Sequence, residues 1–139
     1  MSERRIDAFF YGLFMDQTLL KSLGIKPQYP RAGSVPGHAL RIGQRATLVE
    51  DPQARAYGMV MALTQDELRQ LYGAPGLLDY QPETVSVELT DGGTVAALCY
   101  TLPQAPAPEE ANPDYARRLR EVFRQLGFST EALDTICGD

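Results

Sequence analysis

The chain contains no tryptophan, one histidine and two cysteines. Each scarcity closes off a class of function. With His38 as the sole imidazole and no Ser/His/Asp set, most metal-centre and triad schemes are excluded. Cys99 and Cys137 are too few for a disulfide framework and lack metal-ligand spacing. Both are expected as free thiols, Cys99 buried. No apolar run approaches the roughly 20 residues that span a bilayer. The opening residues, Met1 to Asp7, carry two arginines with no apolar segment behind them, unlike a signal peptide. A cytoplasmic protein without a membrane partner is the expectation. Positive charge is also sparse. The 13 lysines and arginines form no long run and the formal net charge is −5, which argues against a nucleic-acid partner. No Walker or dinucleotide glycine pattern is present, and no cofactor or metal is expected.

What is there fits one domain. The 139 residues, 44% hydrophobic and 22% charged, suffice for a single core and leave little room for a second, so one domain over residues 1–139 is expected. The chain is organised around Ile6 to Asp16. Ile6, Ala8 and Phe10 alternate with Asp7, Phe9 and Tyr11, the period of a strand. Gly12 breaks the run. Asp16 then caps a helix carrying Leu19, Leu20 and Leu23 and ending at Gly24. At such a strand–glycine–helix junction the backbone can approach a ligand, and its N–H groups can point at an anion or carbonyl oxygen. A plain tight turn is the alternative.

Pro27 to Pro36 reads as a loop with extended pieces. Leu40, Ile42, Leu48 and Val49 suggest a strand or bent hairpin arm, and Glu50-Asp-Pro-Gln a turn. Ala56 to Leu63 is short and nearly all apolar, as in a central strand buried on both faces. Thr64-Gln-Asp-Glu67 has the capping-box pattern and opens a helix with Leu68, Leu71 and Tyr72 on its stripe, ended by Gly73. Thr84 to Leu89 and Thr94 to Leu102 form strands around an Asp91-Gly-Gly hairpin turn. A proline-rich loop follows. Asn112 caps the longest helix, with Pro113 at its first position and Tyr115, Leu119, Val122, Phe123 and Leu126 on its stripe. Ser129 to Ile136 makes a last short helix. This order lacks the regular alternation of a doubly wound sheet. The fold class is α+β: a small mixed β-barrel or strongly curled sheet with peripheral helices.

Acid–base chemistry falls to carboxylates. Glu83 is in phase with Val85, Val87 and Leu89, the inward face of its strand. A carboxylate there sits at a barrel mouth or cavity rim, where partial desolvation would suit it to proton transfer. An outward turn of the strand after Pro82, or an arginine partner, is the competing reading. Tyr11, Tyr80, Tyr100 and Tyr115 accompany strand ends and helix starts, and tyrosines so placed can line a small polar pocket. Each on its own also fits a boundary residue with a satisfied hydroxyl.

Taken together, Phe10-Tyr-Gly-Leu-Phe14, Tyr57 to Leu71, Tyr80-Gln-Pro-Glu-Thr-Val-Ser-Val87 and Pro113-Asp-Tyr-Ala-Arg117 resemble, in order and spacing, the γ-glutamylcyclotransferase-like family with its plant AIG2-like branch. The resemblance implies a small mixed barrel with a pocket at the Tyr–Gly loop. In the family a glutamate serves as acid–base for an α-amine that attacks a γ-carbonyl, releasing 5-oxoproline and an amine. By position the resemblance places Tyr11, Gly12 and Leu13 in the binding loop; Phe14, next in the chain, and Tyr80, Tyr100 and Tyr115, the pocket candidates named above, complete the expected substrate-binding set. The family glutamate lies in a Leu-Asp-x-x-Glu-Gly pattern. Here the aligned run is Leu71-Tyr-Gly-Ala-Pro-Gly76, with Tyr72 at the aspartate and Pro75 at the glutamate. Proline cannot accept a proton, and losing a general base costs about 10²–10⁴-fold in rate. Three readings stay open. In one, Glu83 or Asp79 replaces the base in an enzyme. In another, an inactive module binds a γ-glutamyl or amino-acid-like metabolite. In the third, the fold serves a protein contact such as a homodimer.

Overall fold

The computed structural model describes residues 4–73, 77, 79–107 and 109–136. Strand β1, Arg5–Phe10, pairs antiparallel with β3, Ala46–Thr64, which pairs antiparallel with β2, Gln28–Ile42. Strand β4, Gln81–Leu89, and β5, Thr94–Thr101, form a hairpin. The five strands close a barrel in the order β1-β3-β2-β4-β5. Two seams are thin. β2 meets β4 at Gly33 opposite Leu89 and Ser34 opposite Glu88, and β5 meets β1 in parallel through Ala8 opposite Leu98.

The barrel separates two cores, and the strand period assigns residues to them. Adjacent residues point to opposite faces. Phe9 therefore enters the barrel interior with Tyr11, Val35, Leu48, Ala56, Val60, Val85, Val87 and Cys99. Phe10 packs outward with Met59, Met61 and Leu63 against the helices. β3 lies between β1 and β2 and feeds both cores, which is why Ala56 to Leu63 reads as continuously apolar. Burying a side chain the size of Phe9 or Phe10 contributes about 1.5–3 kcal/mol. Gly58 is needed at the β1–β3 contact. A Cβ there would collide with the Phe10 carbonyl and stand 2.8 Å from Phe9 Cζ.

Among the described residues four α-helices complete the outer layer: α1 Gln17–Ser22, α2 Gln65–Tyr72, α3 Pro113–Gln125 and α4 Thr130–Asp134. Asp16 caps α1, accepting from the Thr18 N–H at 3.0 Å, after a 3-10 turn over Leu13–Met15. α1 ends a residue before exposed Leu23, so only Leu20 of its apolar positions is fully buried. The capping box of α2 is formed in both directions. Thr64 Oγ1 accepts from the Glu67 N–H at 3.1 Å, and Glu67 accepts from the Thr64 N–H at 2.9 Å. Asn112 caps α3 at the Tyr115 N–H, with Pro113 in the first turn. Cys99 is buried and unpaired, whereas Cys137 lies outside the described residues.

Two stretches differ from the sequence reading. Residues 27–36 are not a loop, because β2 begins at Gln28. Its prolines fit at irregularities. Pro30 lies in a register shift between Gln28 and Arg31, and Pro36 in another that ends at His38, where Gly37 takes φ 78°. Glu50-Asp-Pro-Gln is no chain reversal either. β3 runs through it, and residues 51–54 bulge out without β2 partners. The reversal instead falls at residues 43–45, closed by the Gly43 N–H donating to the Arg45 carbonyl at 3.1 Å.

Candidate functional site

β1 delivers its last residues to the rim of the barrel, where Gly12 and the following 3-10 turn open into a cavity of about 240 Å³. Phe10, Tyr11, Gly12, Leu13, Phe14 and Leu19 form one side. Gln44, Arg45 and Ala46 from the β2–β3 turn, Tyr72 from the end of α2, Leu77, Tyr80, and Tyr115 from α3 form the rest. The structure thus brings together Tyr11, Gly12, Leu13, Phe14, Tyr80 and Tyr115. Tyr100 stands behind the wall. Its ring stacks on Tyr72 with centroids 3.9 Å apart, and its carbonyl accepts from the Tyr11 hydroxyl at 2.7 Å.

The junction is held by a contact between segments far apart in sequence. Asn112 fixes the first turn of α3 and also donates to the Gln44 carbonyl at 3.2 Å. Tyr115 is thereby aimed at the loop. Its hydroxyl accepts from the Leu13 N–H at 3.1 Å and lies against the Gly12 Cα. Any Cβ at residue 12 would collide with that oxygen, although the backbone there, φ −117° and ψ −156°, suits any residue. Gly12 is thus required for a close approach rather than for a turn. The Leu13 N–H, expected to face a ligand, is already occupied by a phenol. A ligand would meet the Tyr115 oxygen instead, whose own proton can be donated.

The other rings are similarly tied. The Tyr80 hydroxyl donates to the Ala46 carbonyl at 2.5 Å. Arg45 spans the rim, 3.2 Å from an Asp79 carboxylate oxygen and with its guanidinium carbon 5.8 Å from the Tyr80 ring centre. Tyr72 lies between Phe14, met edge-on at 6.0 Å, and the stacked Tyr100. Burial pushes the phenols of Tyr11 and Tyr72 well above their ordinary value and raises those of Tyr100 and Tyr115; Tyr80 goes to about 12, also chiefly by burial. All five are neutral near pH 7. They can donate and accept hydrogen bonds, but none supplies a phenolate base.

No carboxylate lines this cavity among the described residues. Glu83 does keep the inward phase read from the sequence, for it stands opposite buried Cys99 on β5. Burial, with the Glu83 charge second, pushes that thiol up. Glu83 does not line the cavity at the Tyr–Gly loop, however. The barrel opens at this point because β4 has lost its β2 partner, so Glu83 is exposed and lines a separate cleft with His38 and Glu50. Asp79 is exposed and tied to Arg45. Pro75 lies outside the described residues. Sequence reasoning missed Arg45 and Tyr72 as lining residues. Tyr72 carried a signal, an aromatic at the last turn of an apolar stripe, but Arg45 carried none.

A family model for gamma-glutamyl cyclotransferase, AIG2-like proteins matches residues 8–120. The chain belongs to that family. The matched span reaches from β1 into α3 and so includes every segment that lines the cavity. Solved structures agree on the fold. One named gamma-glutamyl cyclotransferase superposes with a TM-score of 0.79 at 16% identity, covering 95% of this chain and 86% of the other. An uncharacterized protein from Homo sapiens gives 0.79 at 17% identity, with 96% and 87% covered. A protein from Arabidopsis thaliana gives 0.68 at 22% identity, with 91% of each covered. A search of curated proteins finds no match. No helix among the described residues is long and apolar enough to cross a membrane.

Proposed function

We propose that this member of the gamma-glutamyl cyclotransferase, AIG2-like family binds a small γ-glutamyl or amino-acid-like ligand in the tyrosine-lined cavity and does not cyclise it. The observation that carries this reading is the lining itself: neutral phenols, apolar side chains, Gln44 and Arg45, with no carboxylate among the described residues. The segment from Gly73 to Leu78, Gly-Ala-Pro-Gly-Leu-Leu, contributes no ionisable side chain from the sequence either. Cyclisation needs a group to take the proton of the attacking α-ammonium, within hydrogen-bond reach or one water away. Asp79 is not among the residues that line the cavity, and Glu83 lines another cleft. A cavity of about 240 Å³ left open by the surrounding side chains favours a ligand over a purely architectural use of the fold. Arg45 supplies positive charge for a ligand carboxylate at the rim, and the aromatic walls take its apolar part.

The test pairs two assays on one panel of γ-glutamyl amines, γ-glutamyl dipeptides and free amino acids. Calorimetry is expected to find saturable binding that weakens about tenfold in Arg45→Gln, the size of one lost charge-assisted hydrogen bond. Chromatography for 5-oxoproline is expected to find none above the uncatalysed background. Release by the wild type that disappears in Glu83→Gln would overturn the proposal and put the base on β4. Absence of binding across the panel would overturn it from the other side.

A further inference from the structure

The second feature that asks for a partner is the cleft of about 580 Å³ where β2 and β4 part. We propose that this cleft docks a short, basic, extended peptide from a partner protein, which adds a strand to the open edge of β4. The backbone alternation leads to this. The Leu89 N–H donates to the Gly93 carbonyl, toward β5, and the Thr90 N–H donates to the Ala32 carbonyl, toward β2. Successive residues of a strand alternate their hydrogen-bonding direction. The β4–β5 register runs without a break from Glu88 opposite Thr94 to Gln81 opposite Thr101. Glu88, Ser86, Thr84 and Pro82 therefore all present their backbone toward the β2 side. Glu88 meets Ser34, but β2 has no pair with β4 beyond it, bending away through the irregularity at Pro36. The Ser86 and Thr84 amides are left facing the cleft. Pro82, next in that series, has no N–H to leave unpaired, which limits a docked strand to the Thr84–Ser86 window.

The side chains define the occupant. Glu83 and Glu50 both line the cleft, and among the described residues neither forms an ion pair with a lysine or arginine. Thr101 also lines it. Two unpaired carboxylates select a partner with Lys or Arg side chains. They also disfavour a second copy of this chain, which carries a net charge of −5 and would bring Glu83 and Glu88 edges together. A strand residue fills about 160 Å³, from a 3.3 Å rise, a 4.8 Å strand spacing and a 10 Å sheet thickness, so the cleft takes roughly three to four residues. Main-chain pairing would supply affinity, and the carboxylates the choice of sequence.

The experiment uses the whole chain labelled with ¹⁵N and the probe acetyl-KVKVK-amide. Amide shifts are expected at Thr84, Ser86 and their neighbours on β4 and β5, saturating with peptide, while Tyr11 to Phe14 stay unmoved. Acetyl-EVEVE-amide is expected to bind at least tenfold more weakly. The doubly substituted Glu50→Gln, Glu83→Gln chain, altered only at exposed positions, is expected to lose at least tenfold for the basic probe. N-methylation of the probe's central amides is expected to abolish binding. No shifts at β4, shifts centred elsewhere, or equal binding of the acidic or N-methylated probes would each overturn the proposal. The readout is independent of 5-oxoproline release and of the tyrosine-lined cavity.

Discussion

The fit between Gly12 and the Tyr115 hydroxyl predicts a double-mutant cycle whose terms do not add. Gly12→Ala forces a Cβ into the Tyr115 oxygen, with no backbone penalty because the dihedrals are already extended. Over-packing of this kind costs about 1–3 kcal/mol. Tyr115→Phe leaves the Leu13 N–H without its acceptor in a half-buried site, at about 1–2 kcal/mol. The two penalties share one atom. When the oxygen is gone, the nearest atom to the new methyl is Tyr115 Cζ, at an ordinary 3.7 Å, so the methyl occupies space the hydroxyl vacates. Simple addition gives about 2–5 kcal/mol for the pair, whereas the geometry gives about 1–2 kcal/mol, close to Tyr115→Phe alone. Urea denaturation followed by far-ultraviolet circular dichroism measures all four proteins. Additivity within about 0.5 kcal/mol would refute the argument, since it would mean that the two residues do not meet.

Gly58→Ala is expected to cost about 3 kcal/mol or more in the same assay, because its Cβ meets the backbone of β1, which cannot move aside without opening the β1–β3 ladder. Glu67→Gln should show its effect only above acidic pH. Desolvation pushes the Glu67 carboxyl up, but the N–H groups of Thr64 and Lys26 together with Arg5 outweigh it and hold the carboxyl below its usual range. A lowered folded pKa adds stability above the unfolded value of about 4.3 and loses it as pH falls through the folded value. Wild type and variant should therefore differ at pH 7 and converge at low pH in denaturant titrations. The raised phenols predict the opposite limb. Their stabilising effect is complete below about pH 10 and is lost as pH climbs through the folded values. Tyrosinate absorbance from the buried rings should thus rise together with unfolding rather than before it.

The sequence reading succeeded where one local signal decided the structure. The capping box at Thr64, the Asn112-Pro113 start of α3 and the Asp91-Gly-Gly turn each fix a handful of dihedrals by short-range hydrogen bonds, and all are present. It failed where a strand carried prolines. Pro30, Pro36 and Pro52 read as loop punctuation, yet each falls at a register shift or an unpaired bulge, so no ladder bond is lost. The site was legible only in part for a related reason. The phase of Glu83 was readable from Val85 and Val87, but the opening of the barrel beside it depends on how far β2 follows β4. No pattern within β4 encodes that. Tyr11 to Phe14 were found through a single glycine, whereas Arg45 enters the cavity from a turn placed by the β2–β3 hairpin as a whole.

The parallel join of β1 to β5 has a kinetic consequence. Its bridge, Ala8 opposite Leu98, and the Tyr11–Tyr100 hydrogen bond link residues about ninety positions apart, whereas the β2–β3 and β4–β5 hairpins are local. Loop-closure entropy places local pairing first and this join last. The tyrosine-lined cavity draws on both sides of the join, so it exists only after the first strand has met the last. A ligand held there grips a structure that the folding transition state has yet to complete. It would lengthen the lifetime of the closed barrel without hastening its formation.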